Sequence, residues 1–231
     1  MMIPRTRLPF DNGLRDFEDT RMTVLERTDR ILPAPAYPGM GLGCAVDYCA
    51  VRTPVKSLLH MASLLLPEGL SLKILDAWRP FSLQAELYDY YADLLEKRFS
   101  LSALPEEERL KIVHSFVSPP VPDRDSPPVH TTGGAVDLTL VRADGTELYM
   151  GTGFDDFSPA AATAYFEGKV LSAKNREARD NRRLLYRVMT DVGFTNLPSE
   201  WWHFDLGDKF WSCYTGRPAL FRGLFEVMDW Q

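Results

Sequence analysis

Apolar residues recur along this chain with two periods, and the changes from one to the other mark its elements. In VKSLLHMASLLL (55–66) they fall at i, i+3, i+4 and i+7, the stripe of an amphipathic helix. Pro54 suits its first turn, where an amide has no intrahelical acceptor to lose. PEG (67–69) breaks that period, and LSLKILDA (70–77) reads as a strand. FSLQAELYDYYADLLEKRF (81–99) predicts a second helix and PEEERLKIVHSF (105–116) a third, its opening acids placed at the positive end of the helix dipole. VSPPVPDRDSPP (117–128) is a proline-rich loop. AVDLTLV (135–141) is a strand, and the turn ADGTE (143–147) predicts a hairpin return through LYM. EARDNRRLLYRVMTDVG (177–193) predicts a long helix closing at Gly193, and WHFDLG (202–207) a last strand. Residues 1–43 carry neither period. They are charged at first and then rich in Pro and Gly through LPAPAYPGMGLG (32–43), so they read as irregular.

The order predicts an α+β fold: a small, mostly antiparallel sheet flanked by helices. No repeat, low-complexity tract or linker divides the chain, so 1–231 reads as one domain with an irregular amino-terminal segment. At 231 residues and 45% hydrophobic, the chain can bury a core of that size.

Charge and cysteine content narrow the functional classes. A net charge of −6 argues against nucleic acid as partner, because neutralising phosphates needs a basic surface. MMIPRTRLPFDNGLRDFEDT has no apolar core of a secretory signal, and no run approaches the roughly 20 apolar residues of a membrane span. Three cysteines are an odd count and too few for a disulfide framework. The expectation is a cytoplasmic protein with reduced thiols and no membrane partner; its oligomeric state is left open.

Candidate chemistry lies in the strands. Side chains alternate faces along AVDLTLV, so Val136, Leu138 and Leu140 form a core face while Ala135, Asp137 and Thr139 form a small, polar one. In WWHFDLG the same rule sets Trp202, Phe204 and Leu206 against His203 and Asp205. If the two strands neighbour in one sheet, Asp137 and His203 share a face, and His130 can fold over it through the Gly133–Gly134 turn. Two imidazoles and a carboxylate make a three-ligand set suited to zinc, with a fourth position open for water. Glu200, three residues before His203, is then placed as a general base beside that water. Arg79, at the end of LKILDA, offers a permanent cation for a developing oxyanion.

Each residue also has a purely structural reading. Asp137 alone is equally a buried, hydrogen-bonded carboxylate, Arg79 alone a partner for Asp76, and EWWH an aromatic edge of the core. His60 and His114 fall in amphipathic helices and read as packing or surface residues. Cys213 stands ten residues beyond His203, weak support for a fourth, structural ligand.

His130-x-x-Gly133-x-Ala135-x-Asp137 followed by Glu200-x-Trp202-His203 resembles the signature of the zinc D,D-peptidases related to hedgehog-type domains, and within them the D-alanyl-D-alanine dipeptidases. DAWRP (76–80), MGTGFDDF (150–157), NRRLL (181–185) and GFTNLPSEWWHF (193–204) extend the resemblance from about residue 70 to 206 in the same order. It implies one zinc ion per chain on His130, Asp137 and His203, Glu200 as base, and Arg79 as stabiliser of the carbonyl oxygen. It further implies Asp155 as the partner of the free ammonium of a dipeptide substrate. Two departures stand out. Pro128 occupies the position where the family has serine, and LPAPAYPGMGLG replaces the family's NFTG stretch. They leave open a D,D-carboxypeptidase acting on longer wall peptides. A third, non-enzymatic reading is a zinc-bearing binding module that kept the fold and lost catalysis, against which both Glu200 and Arg79 argue.

Overall fold

The computed structural model describes residues 2–3, 19–168 and 170–230. In chain order its strands and α-helices are β1 (Met22–Val24), β2 (Ile31–Pro33), β3 (Ala50–Arg52), α1 (Thr53–Leu64), β4 (Leu70–Asp76), α2 (Phe81–Phe99) and α3 (Glu106–His114). They continue as β5 (Val136–Arg142), α4 (Ala173–Thr190), β6 (Thr195–Asn196), β7 (His203–Asp205) and α5 (Lys209–Thr215). The fold is α+β, as the periodicity predicts. A five-stranded sheet runs in the order β2-β4-β5-β7-β6, with β2 parallel to β4 and the other pairs antiparallel. β1 and β3 form a separate antiparallel pair.

The predicted core face of β5 is the one that packs. Val136, Leu138 and Leu140 are fully buried with Leu72 and Ile74 of β4, Leu58, Leu59 and Ala62 of α1, and Leu185, Val188 and Met189 of α4. Each such aliphatic side chain contributes about 1.5–3 kcal/mol by leaving water. A second cluster, Tyr37, Leu83, Leu87, Tyr91, Leu95, Leu101, Val113 and Val117, is built around α2 and α3.

Four local differences from the sequence reading have simple causes. The segment expected to be irregular contributes β1 and β2, whose three residues are too short to display a period. β2 is specified by its partner: Leu72 N donates to Arg30 O at 2.9 Å, and Ala34 N to Ile74 O at 2.9 Å. The part of that segment spanning 4–18 lies outside the described residues. α4 starts at Ala173, not 177, because Ser172 caps it by accepting from Asn175 N at 3.2 Å. The hairpin return amounts to a bridge between Val141 and Glu147 and a bond from Leu148 N to Leu140 O at 2.8 Å. β3, α5 and β6 had no counterpart among the predicted elements. No helix among the described residues is long and apolar enough to cross a membrane.

Candidate metal centre and active site

β5 and β7 pair so that Asp137 lies directly opposite His203. Opposed residues of an antiparallel pair project from the same face, so the alternation read from the sequence brings both groups to one point. His130 arrives from a short 3₁₀ turn, Val129–Thr132, that ends at Gly133 with φ +72°. Gly134 then runs so close to β7 that a Cβ there would collide with the Leu206 carbonyl. The three ligand atoms gather within 4.8 Å of one another, all on buried residues. His203 Nδ1 is 2.9 Å from Asp137 Oδ1 and 3.3 Å from His130 Nε2, which is 3.4 Å from Asp137 Oδ2.

The outer ring nitrogens decide what this set can hold. His130 Nδ1 lies 2.9 Å from the Ala77 carbonyl, which can only accept, so Nδ1 carries the hydrogen and Nε2 turns a lone pair inward. His203 Nε2 lies 2.8 Å from Asp205 Oδ1, so a neutral ring that donates there would turn its Nδ1 lone pair inward. A cation that displaced the proton held between His203 Nδ1 and Asp137 Oδ1 would meet two lone pairs and a carboxylate. Burial works against an imidazolium at His203, but Asp205 and Asp137 outweigh it and hold its pKa well above the ordinary histidine value. Burial likewise opposes ionised Asp137, yet His130 and His203 keep it well below the usual carboxylate range. Such a site calls for positive charge, and a divalent cation bound by nitrogen and oxygen fits it.

Glu200, Arg79 and Asp155 line the same cavity, of about 80 Å³, as the three candidate ligands. Glu200 Oε2 lies 3.9 Å from His203 Nδ1, too far for a hydrogen bond, with its side chain 26% exposed. Burial, offset in part by His203, raises its pKa to about 7. Arg79 does pair with Asp76, through Nε to Oδ2 at 3.0 Å, and it also reaches the cavity. Its Nη1 donates to Gln84 Oε1 at 2.8 Å and its Nη2 to Tyr37 Oη at 3.1 Å. A bulge in the pairing of β4 with β5 sets Asp76 opposite Asp137 and so delivers Arg79 to the site. Asp155, with φ +54°, accepts from Tyr91 Oη at 2.5 Å and Tyr37 Oη at 3.2 Å. Burial raises its pKa to about 6.

Tyr37, Gln84, Tyr91 and Asp205 were missed as site residues. Tyr37 belongs to the Pro/Gly-rich stretch that replaces NFTG, so this departure still feeds a side chain into the cavity. Gln84 and Tyr91 sit on the buried face of α2, where sequence alone reads them as packing. Only Asp205 carried a signal, since it shares the predicted face of His203. Pro128 lines the cavity without a hydroxyl to offer. His60 and His114 are exposed on their helices, and Cys213, exposed on α5, stands outside the ligand cluster.

Buried groups that could hold a cation, beside a carboxyl whose pKa burial raises to about 7, suit a hydrolase. The chain belongs to peptidase family M15, described as D-ala-D-ala dipeptidase, which matches residues 49–218. It is 30% identical over 176 residues to a D-alanyl-D-alanine dipeptidase of Synechocystis sp., covering 70% of this chain and 71% of that relative. It is 32% identical over 155 residues to the Escherichia coli protein of that name, covering 67% of this chain and 65% of the relative. The corresponding protein of Enterococcus faecium is 29% identical over 155 residues, 67% of this chain and 71% of its own length.

Proposed function

We propose that this chain is a zinc dipeptidase that hydrolyses D-alanyl-D-alanine or a closely similar free dipeptide. The observation that carries the reading is one small cavity lined together by His130, Asp137, His203, Glu200, Arg79 and Asp155. Family membership and the relatives' names support the substrate class.

In this reading His130, Asp137 and His203 hold the metal, and their outer contacts to Ala77 O and Asp205 fix ring orientation and tautomer. Zinc held there supplies an acidified water and polarises the peptide carbonyl. Glu200 takes a proton from the attacking water and returns it to the leaving amine, a role suited to a carboxyl whose pKa is near 7. The guanidinium of Arg79, held by Asp76, Gln84 and Tyr37, faces the charge that develops on the carbonyl oxygen. Asp155, gripped by two tyrosine hydroxyls, pairs with the substrate's free ammonium group. That last role favours a dipeptidase over a carboxypeptidase, whose longer substrate brings no ammonium to this point.

The test is release of D-alanine from D-Ala-D-Ala, L-Ala-L-Ala, N-acetyl-D-Ala-D-Ala and a wall pentapeptide by the zinc-loaded protein. Turnover of D-Ala-D-Ala well above the rest is expected. Equal release from the blocked or long substrates makes it a carboxypeptidase.

A further inference from the structure

A second cleft adjoins the reaction cavity, with a volume of about 240 Å³ against about 80 Å³. The two share Phe116, Asp155, Phe157 and Glu200. Much of the remaining wall is small or apolar, with Pro159, Ala161 and Ala162 from the segment between β5 and α4 and Trp202 from the approach to β7. Phe116 and Phe157 meet edge to face, with centroids 5.3 Å apart, so one aromatic pair borders both spaces. Asp156, on the rim, has Oδ1 engaged by the Ser158 amide at 2.7 Å. Apart from Asp155 and Glu200, none of these side chains has a part in the chemistry above.

The place of the cleft follows from the covalent structure of a dipeptide. With the ammonium group at Asp155 and the scissile carbonyl beside Glu200, the first residue's Cα lies between those two carboxylates. The same two carboxylates border the second cleft. A tetrahedral Cα with its amine and carbonyl fixed has two bonds left, one to hydrogen and one to the side chain. One hand of amino acid therefore sends its side chain towards the cleft, and the other sends it away. A methyl group would fill little of such a space, whereas a leucine or phenylalanine side chain exchanges water for apolar wall.

We infer that this cleft is a specificity subsite for the side chain of the substrate's amino-terminal residue, and that it accepts a large apolar group. The inference rests on the dipeptidase reading, because it takes Asp155 and Glu200 as the anchors of that residue.

Dipeptides X-D-Ala, with X either hand of alanine, leucine or phenylalanine, test it by calorimetric titration onto zinc-loaded Glu200→Gln protein. In one hand, the leucine or phenylalanine dipeptide is expected to bind at least as tightly as the alanine one. Ala162→Leu, which fills the cleft, is then expected to lower the ratio of leucine-dipeptide to alanine-dipeptide affinity at least tenfold. Ser115→Leu, which enters the same cleft from the end of α3, gives the same readout if Ala162→Leu melts early. Large first residues of both hands binding more than tenfold more weakly than alanine, or a ratio unmoved by both variants, overturns the subsite. Because binding is read on protein that does not turn over, a lack of hydrolysis by wild type counts against the dipeptidase reading alone. Absence of binding by every dipeptide counts against both.

Discussion

Arg79 donates to Asp76 from Nε at 3.0 Å, and both side chains are buried beside the candidate metal ligands. A buried ion pair is easily broken and poorly replaced by one partner alone, since the survivor is left charged without solvent. Arg79→Ala should therefore lower stability by about 3–5 kcal/mol as well as turnover. Adding Asp76→Asn should recover much of the stability without recovering the rate, because the oxyanion loses its cation in both variants. Chemical denaturation and kcat/KM on the single and double variants separate the two effects. Recovery of both together would make Arg79 a structural residue only.

Metal content distinguishes ligand, support and base. His203→Ala should lose zinc and activity together. Asp205→Ala should keep zinc at saturation but bind it ~10–100-fold more weakly, because the His203 ring loses the acceptor that fixes its tautomer. Glu200→Gln should retain stoichiometric zinc and slow turnover by ~10²–10⁴-fold. Competition with a chelator followed by elemental analysis reads all three. Loss of zinc from Glu200→Gln would mean that base and ligand are exchanged.

Gly134→Ala probes the seam between the strands. Its Cβ would meet the Leu206 carbonyl, and the backbone there is held by Leu206 N donating to Gly134 O at 3.1 Å. Relief requires β5 and β7 to part, which also separates Asp137 from His203. A loss of roughly 1–3 kcal/mol of stability is expected, with weakened zinc binding although no ligand has changed. Normal zinc affinity in a destabilised variant would sever the seam from the site.

The convergence of the candidate ligands was legible because a strand's period of two is rigid: once β5 and β7 pair, Asp137 and His203 must share a face. Glu200 follows from its spacing to His203, and the Gly133–Gly134 turn indicates how His130 folds over. The surroundings of Asp155 were harder to see. Asp155 lies in a segment without regular structure, and its partners Tyr37 and Tyr91 come from residues 118 and 64 positions away along the chain. Contacts at such separations follow no local period. β1 and β2 were hidden for a related reason, since three-residue strands take their identity from a neighbour and not from their own sequence.

Asp155 carries opposite demands on stability and function. Burial, with Asp137 and Asp76 nearby, raises its pKa from 3.8 to about 6 despite the Tyr91 hydrogen bond and Arg79. A carboxyl whose folded pKa exceeds its unfolded one favours folding when protonated. Its ionisation therefore costs nothing below about pH 4, costs progressively more up to about pH 6, and costs a constant amount above it. Asp155→Asn removes that cost, keeps an oxygen for both tyrosine hydroxyls, and suits the left-handed backbone at φ +54° better than most residues do. The metal-free variant should be more stable than wild type by up to about 3 kcal/mol at pH 7.5, with the advantage shrinking steadily towards pH 4. Hydrolysis of a free dipeptide by the zinc-loaded variant should nevertheless fall sharply, because its ammonium loses a charged partner. An N-acetylated dipeptide, poor with wild type, should lose little further. Thermal melts across pH and paired kinetics on the free and blocked substrates check both halves. A variant that is less stable at pH 7.5, or that slows both substrates equally, would remove Asp155 from the ammonium site.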